Sequence, residues 1–258
     1  MNASELMSKS GYYVETRTHA SEIKFLVDLD AASKIRAWAR RVLPADPHGS
    51  GSDRDEYSTT SLYFDTLDFA VFHRAGSYRR SKYRIRRYGT SESVYLERKM
   101  RTGKVLSKRR TPVPCSELGK LAGGNVDQKW VGAWFQERLQ IRRFAPAIQV
   151  SYHRTARVAE TAHGIIRLTV DDNLRASPAV GLAVRPGFGE TIIRDQAIIE
   201  MKFRVAMPGL FKDLAEQFAL EPIRISKYRM AAIELGLVRQ DKIEGNQDGR
   251  IAISCLPS

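Results

Sequence analysis

The sequence predicts an α+β fold: a closed antiparallel barrel of eight strands, with helices packed on its outside. Three observations lead there. First, most segments that read as strands alternate strictly between apolar and charged residues, and successive strand side chains point to opposite faces. Second, the charged faces carry both signs at matched spacing on separate strands: Glu22-Ile23-Lys24, Arg84-Ile85-Arg86, Glu97-Arg98-Lys99 and Glu200-Met201-Lys202. Third, amphipathic helices lie between the strands and need an apolar surface to cover. A sheet closed with its charged face inward and its apolar face under the helices meets all three demands.

Each element has its own signal. In 21–29, Glu22 and Lys24 oppose Ile23, Phe25 and Val27, which predicts a strand. Asp30 can cap a helix over 31–43, where Ile35, Trp38, Ala39 and Val42 recur at helical spacing. The Pro/Gly/Ser/Asp-rich run 44–56 predicts a loop. A strand over 58–66 and a short helical stretch near 68–74 follow. Strands are predicted over 78–88, 93–100 and 105–113, with Gly103 in the turn between the last two, and helices over 116–122 and 128–141. The stretches 146–159 and 164–174 read as a strand pair turning at Ala162–Gly164. The second of them sets Arg167, Thr169 and Asp171 against Ile166, Leu168 and Val170. Residues 196–205 alternate most cleanly, with Ile199, Met201, Phe203 and Val205 opposite Glu200, Lys202 and Arg204. Helices over 210–219 and from Ser226 to about Leu237 close the fold. Residues 1–20 read as a flexible N-terminus, 21–238 as a single domain and 239–258 as a polar tail.

Charge narrows the function. The 258-residue chain carries a formal net charge of +13, and 13 of its 42 Lys and Arg residues fall within 79–110 beside only two acids, Glu92 and Glu97. Like charges on neighbouring strands repel, so a one-signed cluster calls for an anion between them. Burying unpaired cations is prohibitive. A triphosphate or longer phosphate chain supplies the counter-charge and suits bidentate arginine contacts. Inward carboxylates repel phosphate unless a divalent cation intervenes, which makes Glu200, with Glu22, Glu97 or Asp171, a candidate Mg²⁺ or Mn²⁺ site. The same carboxylates serve equally as partners of neighbouring Lys and Arg. Ser226 and Lys227 open the last helix, where backbone amides can receive a phosphate or Ser226 can simply cap.

Other chemistries lack their signatures. There is no G-x-x-x-x-G-K-[ST] loop, since 49–55 has no lysine. The five histidines have no metal-ligand spacing, and Cys115 and Cys255 stand far apart, which argues against zinc and a disulfide framework and for a reducing, cytoplasmic setting. No run of about 18 apolar residues predicts a membrane span. Tyr83, Tyr88 and Tyr95 interleave with basic residues as in single-strand nucleic-acid platforms, but Tyr83 falls opposite Arg84, on the predicted outer wall. Nucleic acid is not the expected partner.

The segments SEIKF (21–25), SLYFDT (61–66), KYRIRRYG (82–89), YLERK (95–99), SKRR (107–110), SYHRTA (151–156), GIIRLTVDDNLR (164–175), IIEMKF (198–203) and SKYRM (226–230) carry a further signal. In this order the chain resembles the VTC-type polyphosphate polymerase domain of the triphosphate tunnel metalloenzyme (CYTH-like) superfamily, over roughly residues 20–235. The resemblance implies a β-tunnel that binds the ATP triphosphate and passes its γ-phosphoryl group to a growing inorganic polyphosphate chain, with Mn²⁺ preferred to Mg²⁺. It implies phosphate binding by Lys24, Arg84, Arg86, Lys99, Lys108, Arg154, Arg167, Ser226 and Lys227, and metal binding by Glu200. Lys82 and Lys202 share parity with these residues, as do the candidate metal ligands Glu22 and Glu97. Lys24, Arg84, Arg86, Lys99 and Glu200 are the expected catalytic set. The superfamily's Glu-x-Glu-x-Lys signature is shortened, because position 20 is Ala20. ATP, polyphosphate and pyrophosphate are the implied small-molecule partners. Some relatives work with membrane partners, which would place the chain at the inner face of a membrane. A triphosphatase and a non-catalytic phosphate sensor remain the alternatives.

Overall fold

A computed structural model of the chain describes residues 14–18, 21–102 and 105–238. They form ten strands and four α-helices and divide into two compact units. Of the described residues, the first unit comprises 14–18, 59–102, 105–149 and 178–186, and the second 21–58, 150–177 and 187–238. The predicted turn at Gly103 and the C-terminal tail lie outside the described residues.

In the first unit the strand order is β1 (Val14–Thr18), β6 (Val105–Pro114), β5 (Ser93–Thr102), β4 (Ser81–Tyr88) and, from Thr59 onward, β3 (Glu56–Asp65), antiparallel throughout. β1 arises within the segment predicted to be a loose N-terminus. One face of these strands is a core. Leu62, Phe64, Tyr83, Ile85, Val94, Leu96 and Val113 pack with Phe135 and Leu139 of α2 (Ala133–Arg142) and with Leu118 and Leu121 of a 3-10 segment, Cys115–Ala122. Burial of each such side chain is worth about 1.5–3 kcal/mol. Trp130 precedes α2 in a turn, so that helix is shorter than the 128–141 expected. The predicted helix near 68–74 is a set of turns instead. Buried Asp65 there accepts from the amides of Thr66, Val71 and Phe72 at 2.7–2.9 Å, and this tight carboxylate cap substitutes for helical bonding.

In the second unit the order is β7 (Ala145–Thr161, from Val150 onward), β8 (Gly164–Pro178, as far as Ser177), β10 (Gln196–Phe203) and β2 (Ser21–Asp28), with β9 (Glu190–Thr191) alongside β8. Gly164 turns the β7–β8 hairpin at φ +99°, a conformation that side chains resist, and Thr161 Oγ1 donates to its carbonyl at 2.7 Å. Phe25, Ile166, Leu168, Val170, Ile199, Met201 and Phe203 form this unit's core with Ile35, Trp38 and Ala39 of α1 (Leu29–Val42) and Phe211 and Leu214 of α3 (Gly209–Gln217). α4 spans Lys227–Glu234. The cap of α1 is Asp28, whose carboxylate accepts from Ala31 N at 2.7 Å; Asp30, the expected cap, lies inside the first turn. Val42 and Val205, both placed on apolar faces by their spacing, are exposed. The former ends its helix, and the latter lies beyond the end of β10.

Two expectations therefore change. Among the described residues there are ten strands where eight were expected, and no ladder closes either run on itself. The α+β, antiparallel class stands. No helix of the described residues is long and apolar enough to cross a membrane.

Behind the second core, α1 is fastened to β7 and β8 by charge. Arg36 pairs with Asp172, and Arg40 and Arg157 both pair with fully buried Asp55. His153 lies 3.6 Å from both Asp172 and Glu56. Asp172 raises the His153 pKa and Glu56 adds to the effect, while burial and Arg36 oppose it. A raised folded-state pKa contributes stability below the unfolded value, about 6.5, and loses it as pH rises through the folded value. Unfolding free energy should therefore decline as pH climbs through and above 6.5. A His153→Gln variant should show a flatter profile in denaturant titrations across that window, and an unchanged slope would remove His153 from this role.

Candidate functional site

Register builds the site in the first unit. On β4, Lys82, Arg84, Arg86 and Tyr88 share the face opposite Tyr83 and Ile85. On β5 the same face carries Tyr95, Glu97 and Lys99, and on β6 it carries Lys108 and Arg110. Directly opposed residues make rows across the strands. Lys82, Lys99 and Lys108 form one row, Arg84, Glu97 and Arg110 the next, and Arg86 with Tyr95 a third. From β3, Ser61 stands opposite Arg86 and Tyr63 opposite Arg84.

Glu97 is the hub. It is 2% exposed, and Arg84 holds its Oε2 through Nη2 at 2.6 Å and Nε at 2.7 Å. Lys108 Nζ and Arg110 Nε approach its Oε1 at 3.3 Å. Arg86 Nε donates to Ser61 Oγ at 3.1 Å. Burial disfavours the Glu97 charge, but Arg84, Arg86, Lys108 and Arg110 outweigh it and hold the carboxyl well below its usual range. Lys108 shows the crowding from the other side. Burial, and then repulsion from Arg84, Arg110 and Arg86, bring its pKa down to about 8 against the pull of Glu97. Four cations around one carboxylate leave a surplus that an anion would neutralise.

A second group of charges occupies the second unit. Glu200, buried on β10, faces Lys24 of β2, and Lys202 faces Glu22 one step along. Lys24 Nζ contacts Glu22 at 2.9 Å and Glu200 at 3.4 Å, and Lys202 pairs with Glu200 and, at 3.7 Å, with Glu22. Burial raises the Glu200 pKa, but Lys202, Lys24, Arg154 and Lys227 together hold it well below the ordinary value. Asp171, fully buried on β8, accepts from Arg154 Nε and Nη2, both at 2.6 Å, and lies 2.6 Å from Lys227 Nζ. Burial opposes its ionisation and these cations overcome it, leaving a pKa of about 2. Both cations also sit against the Tyr152 ring, at 5.1 Å and 4.9 Å from its centroid. Arg167, opposite Lys202, reaches Asp46 at 2.7 Å and the Tyr57 hydroxyl at 2.6 Å. Ser226 stands at the cap position of α4, but its side chain makes no cap bond there.

The predicted residues thus fall into two groups. Lys82, Arg84, Arg86, Glu97, Lys99 and Lys108 gather in the first unit. Glu22, Lys24, Arg154, Arg167, Glu200, Lys202, Ser226 and Lys227 belong to the second. Sequence reasoning missed Arg110 and Tyr152. Parity with Lys108 would have placed Arg110 on the face, whereas Tyr152 is revealed only by its contact with two cations.

A metal was expected at Glu200, Glu22 and Glu97. Among the described residues no group of three His, Cys, Asp or Glu side chains comes together to hold one. Both oxygens of Glu97 are engaged by cations, and those of Glu22 and Glu200 are likewise shared by Lys24 and Lys202. The second unit differs in bringing two carboxylates to one lysine, beside the buried Thr169 hydroxyl, which stands opposite Glu200 and has no hydrogen-bond partner among the described residues. Hard divalent cations accept this donor type and complete their shells with substrate phosphates.

Cationic side chains gathered on strand faces around single buried carboxylates define a class, an α+β protein equipped to hold anions. The chain belongs to the VTC domain family, whose model matches residues 19–235. Among solved structures it is similar to a Bacillus halodurans protein provisionally assigned as an adenylate cyclase, at 15% identity and a TM-score of 0.49, with 81% of this chain and 95% of that one covered. It is also similar to HpAC1 from Hippeastrum, a provisionally assigned adenylyl cyclase described as having a dominant triphosphatase activity. There the identity is 14%, the TM-score 0.45 and the coverage 85% and 98%. The PH1819 protein of Pyrococcus horikoshii follows at 15% identity and a TM-score of 0.41, with 84% and 98% covered. No curated protein matches the chain at a significant level.

Proposed function

We propose that the chain is an ATP-dependent polyphosphate polymerase. A terminal phosphate oxygen of the growing chain attacks the ATP γ-phosphorus, the bond to the β,γ-bridging oxygen breaks, and ADP leaves while the polymer gains one phosphate. The observation that carries this reading is the cationic face around Glu97, together with membership of the VTC domain family. Phosphoryl transfer asks the protein for positioning and charge neutralisation more than for covalent chemistry. Arg84, Arg86, Lys108 and Arg110 would hold phosphate oxygens, with Lys82 and Lys99 extending the cationic track. Lys24, Arg154, Arg167, Lys202, Ser226 and Lys227 are the corresponding proposals in the second unit. Glu97 and Asp171 act as counter-ions that keep the cations in place before substrate arrives.

Glu200 and Glu22 would hold the divalent cation, Mn²⁺ or Mg²⁺, which neutralises charge developing on the phosphates. A triphosphatase must position and activate a water; Glu97, Asp171 and Glu200 are instead partnered by Arg and Lys, which hold all three carboxyls below their ordinary values. A terminal phosphate oxygen is already ionised near neutral pH and needs no base.

Incubation with ATP and Mn²⁺ tests the reading. Long polyphosphate, resolved on a gel, should accumulate with equimolar ADP. Orthophosphate without polymer would establish the triphosphatase instead, and unchanged ATP that nonetheless binds would leave a sensor.

A further inference from the structure

Two tyrosines share the cationic face of the first unit, and the phosphate-binding set proposed above includes neither. Tyr88 and Tyr95 meet edge to face, with centroids 5.7 Å apart and planes at 71°. The Arg110 guanidinium lies 3.5 Å from the Tyr95 centroid and 5.3 Å from that of Tyr88. Arg86 stands directly opposite Tyr95 on the neighbouring strand. Both rings are half-buried. Burial resists ionisation of Tyr88, yet Arg86 and Arg110 bring its phenol down to about 8.

The position of the pair is as informative as its contacts. Tyr88 and Tyr95 lie at one end of the face, and the row Lys82, Lys99, Lys108 lies at the other. Tyr95 and Lys99 are four residue steps apart, about 13 Å of strand. The Arg84, Glu97 and Arg110 row lies between. The π face of an aromatic ring is electronegative and repels a phosphate, so the rings themselves, as distinct from their hydroxyls, do not serve an inorganic chain. Rings flanked by a guanidinium do suit the π face of a nucleobase, which stacks on aromatic side chains and on arginine alike.

We propose that Tyr88, Tyr95 and Arg110 form a base-stacking subsite for the nucleobase of a nucleoside triphosphate, whose phosphates run from there along the cationic face toward the lysine row. The inference rests on the phosphate-binding reading above and adds a polarity to it. The nucleoside end lies at the tyrosines, and the terminal phosphates lie toward Lys82, Lys99 and Lys108.

Calorimetric titration with two probes, ATP and inorganic tripolyphosphate, tests it on the full chain. Stacking on one ring is worth roughly tenfold in affinity. Tyr88→Ala and Tyr95→Ala should each weaken ATP by about that factor and change tripolyphosphate by less than about twofold. Tyr88→Phe and Tyr95→Phe keep the ring, so both should retain ATP affinity. An equal loss for both probes in the alanine variants would overturn the subsite, as would a loss in the phenylalanine variants, since either points to a hydroxyl-to-phosphate contact. Unchanged ATP affinity in all four variants would overturn it too. If the wild-type chain binds neither probe, the phosphate reading fails and the subsite fails with it. Tripolyphosphate binding without a ring-dependent gain for ATP removes the subsite alone.

Discussion

Replacing Asp171 by alanine is expected to cost about 3–5 kcal/mol of stability. The carboxylate is fully buried, takes two 2.6 Å bonds from Arg154 and lies 2.6 Å from Lys227. Its removal strands two cations that the fold keeps out of water. An asparagine keeps the shape but not the charge and should be nearly as damaging. The pH dependence supplies a second readout. The folded pKa of about 2 lies below the ordinary carboxyl value, so the contribution is complete above about pH 4 and is lost as pH falls toward 2. Urea unfolding at neutral pH should show the deficit, and wild type and variant should converge in acid. A deficit under about 1 kcal/mol at pH 7 would mean that Arg154 and Lys227 do not depend on Asp171.

Glu200→Gln is expected to lower ATP turnover by at least about 10²–10³-fold, the scale seen when one group stabilising transition-state charge is lost. Glutamine matches the volume of glutamate, so the packing of β10 should survive and circular dichroism should report a folded chain. The charge does not survive. Lys24 and Lys202 lose one of the two counter-ions they share and keep Glu22, and an oxygen donor becomes a weaker one. Two outcomes tell the roles of Glu200 apart. If it holds the divalent cation, Mn²⁺ affinity measured in the presence of tripolyphosphate should fall with activity. If it only balances the lysines, tripolyphosphate should bind the variant at least as tightly, because a negative charge has gone, while Mn²⁺ affinity holds. Full activity in a folded variant would remove Glu200 from the site.

The strands were legible because burial on one face forces strict alternation. The 21–28 and 196–203 segments read almost to the residue for that reason. Their ends were less legible. Val205 continues the alternation, but the strand stops at Phe203. The cap of α1 moved from Asp30 to Asp28 because either carboxylate satisfies the local rule and only backbone geometry selects between them. The 68–74 turn depends on one buried carboxylate, Asp65, that bonds amides up to seven residues ahead. No helical periodicity encodes such a contact.

Parity, read along single strands, was enough to name which cations share a face, and the ordered motifs were enough to name the family. Both are properties of short segments, where each residue's direction follows from its neighbours. What an acid does among those cations depended on register between strands. Glu97 reads as a metal ligand or a lysine partner in the sequence, and the β4–β5–β6 ladders set it between Arg84 and Arg110, with its charge already spent. The same ladders bring Tyr88 and Tyr95 together from different strands, and the β8–β10 ladder sets Thr169 opposite Glu200. A pattern of period two assigns a face to each side chain. Only the pairing of strands decides which side chains on that face meet, because a shift of register changes every partner without changing the pattern.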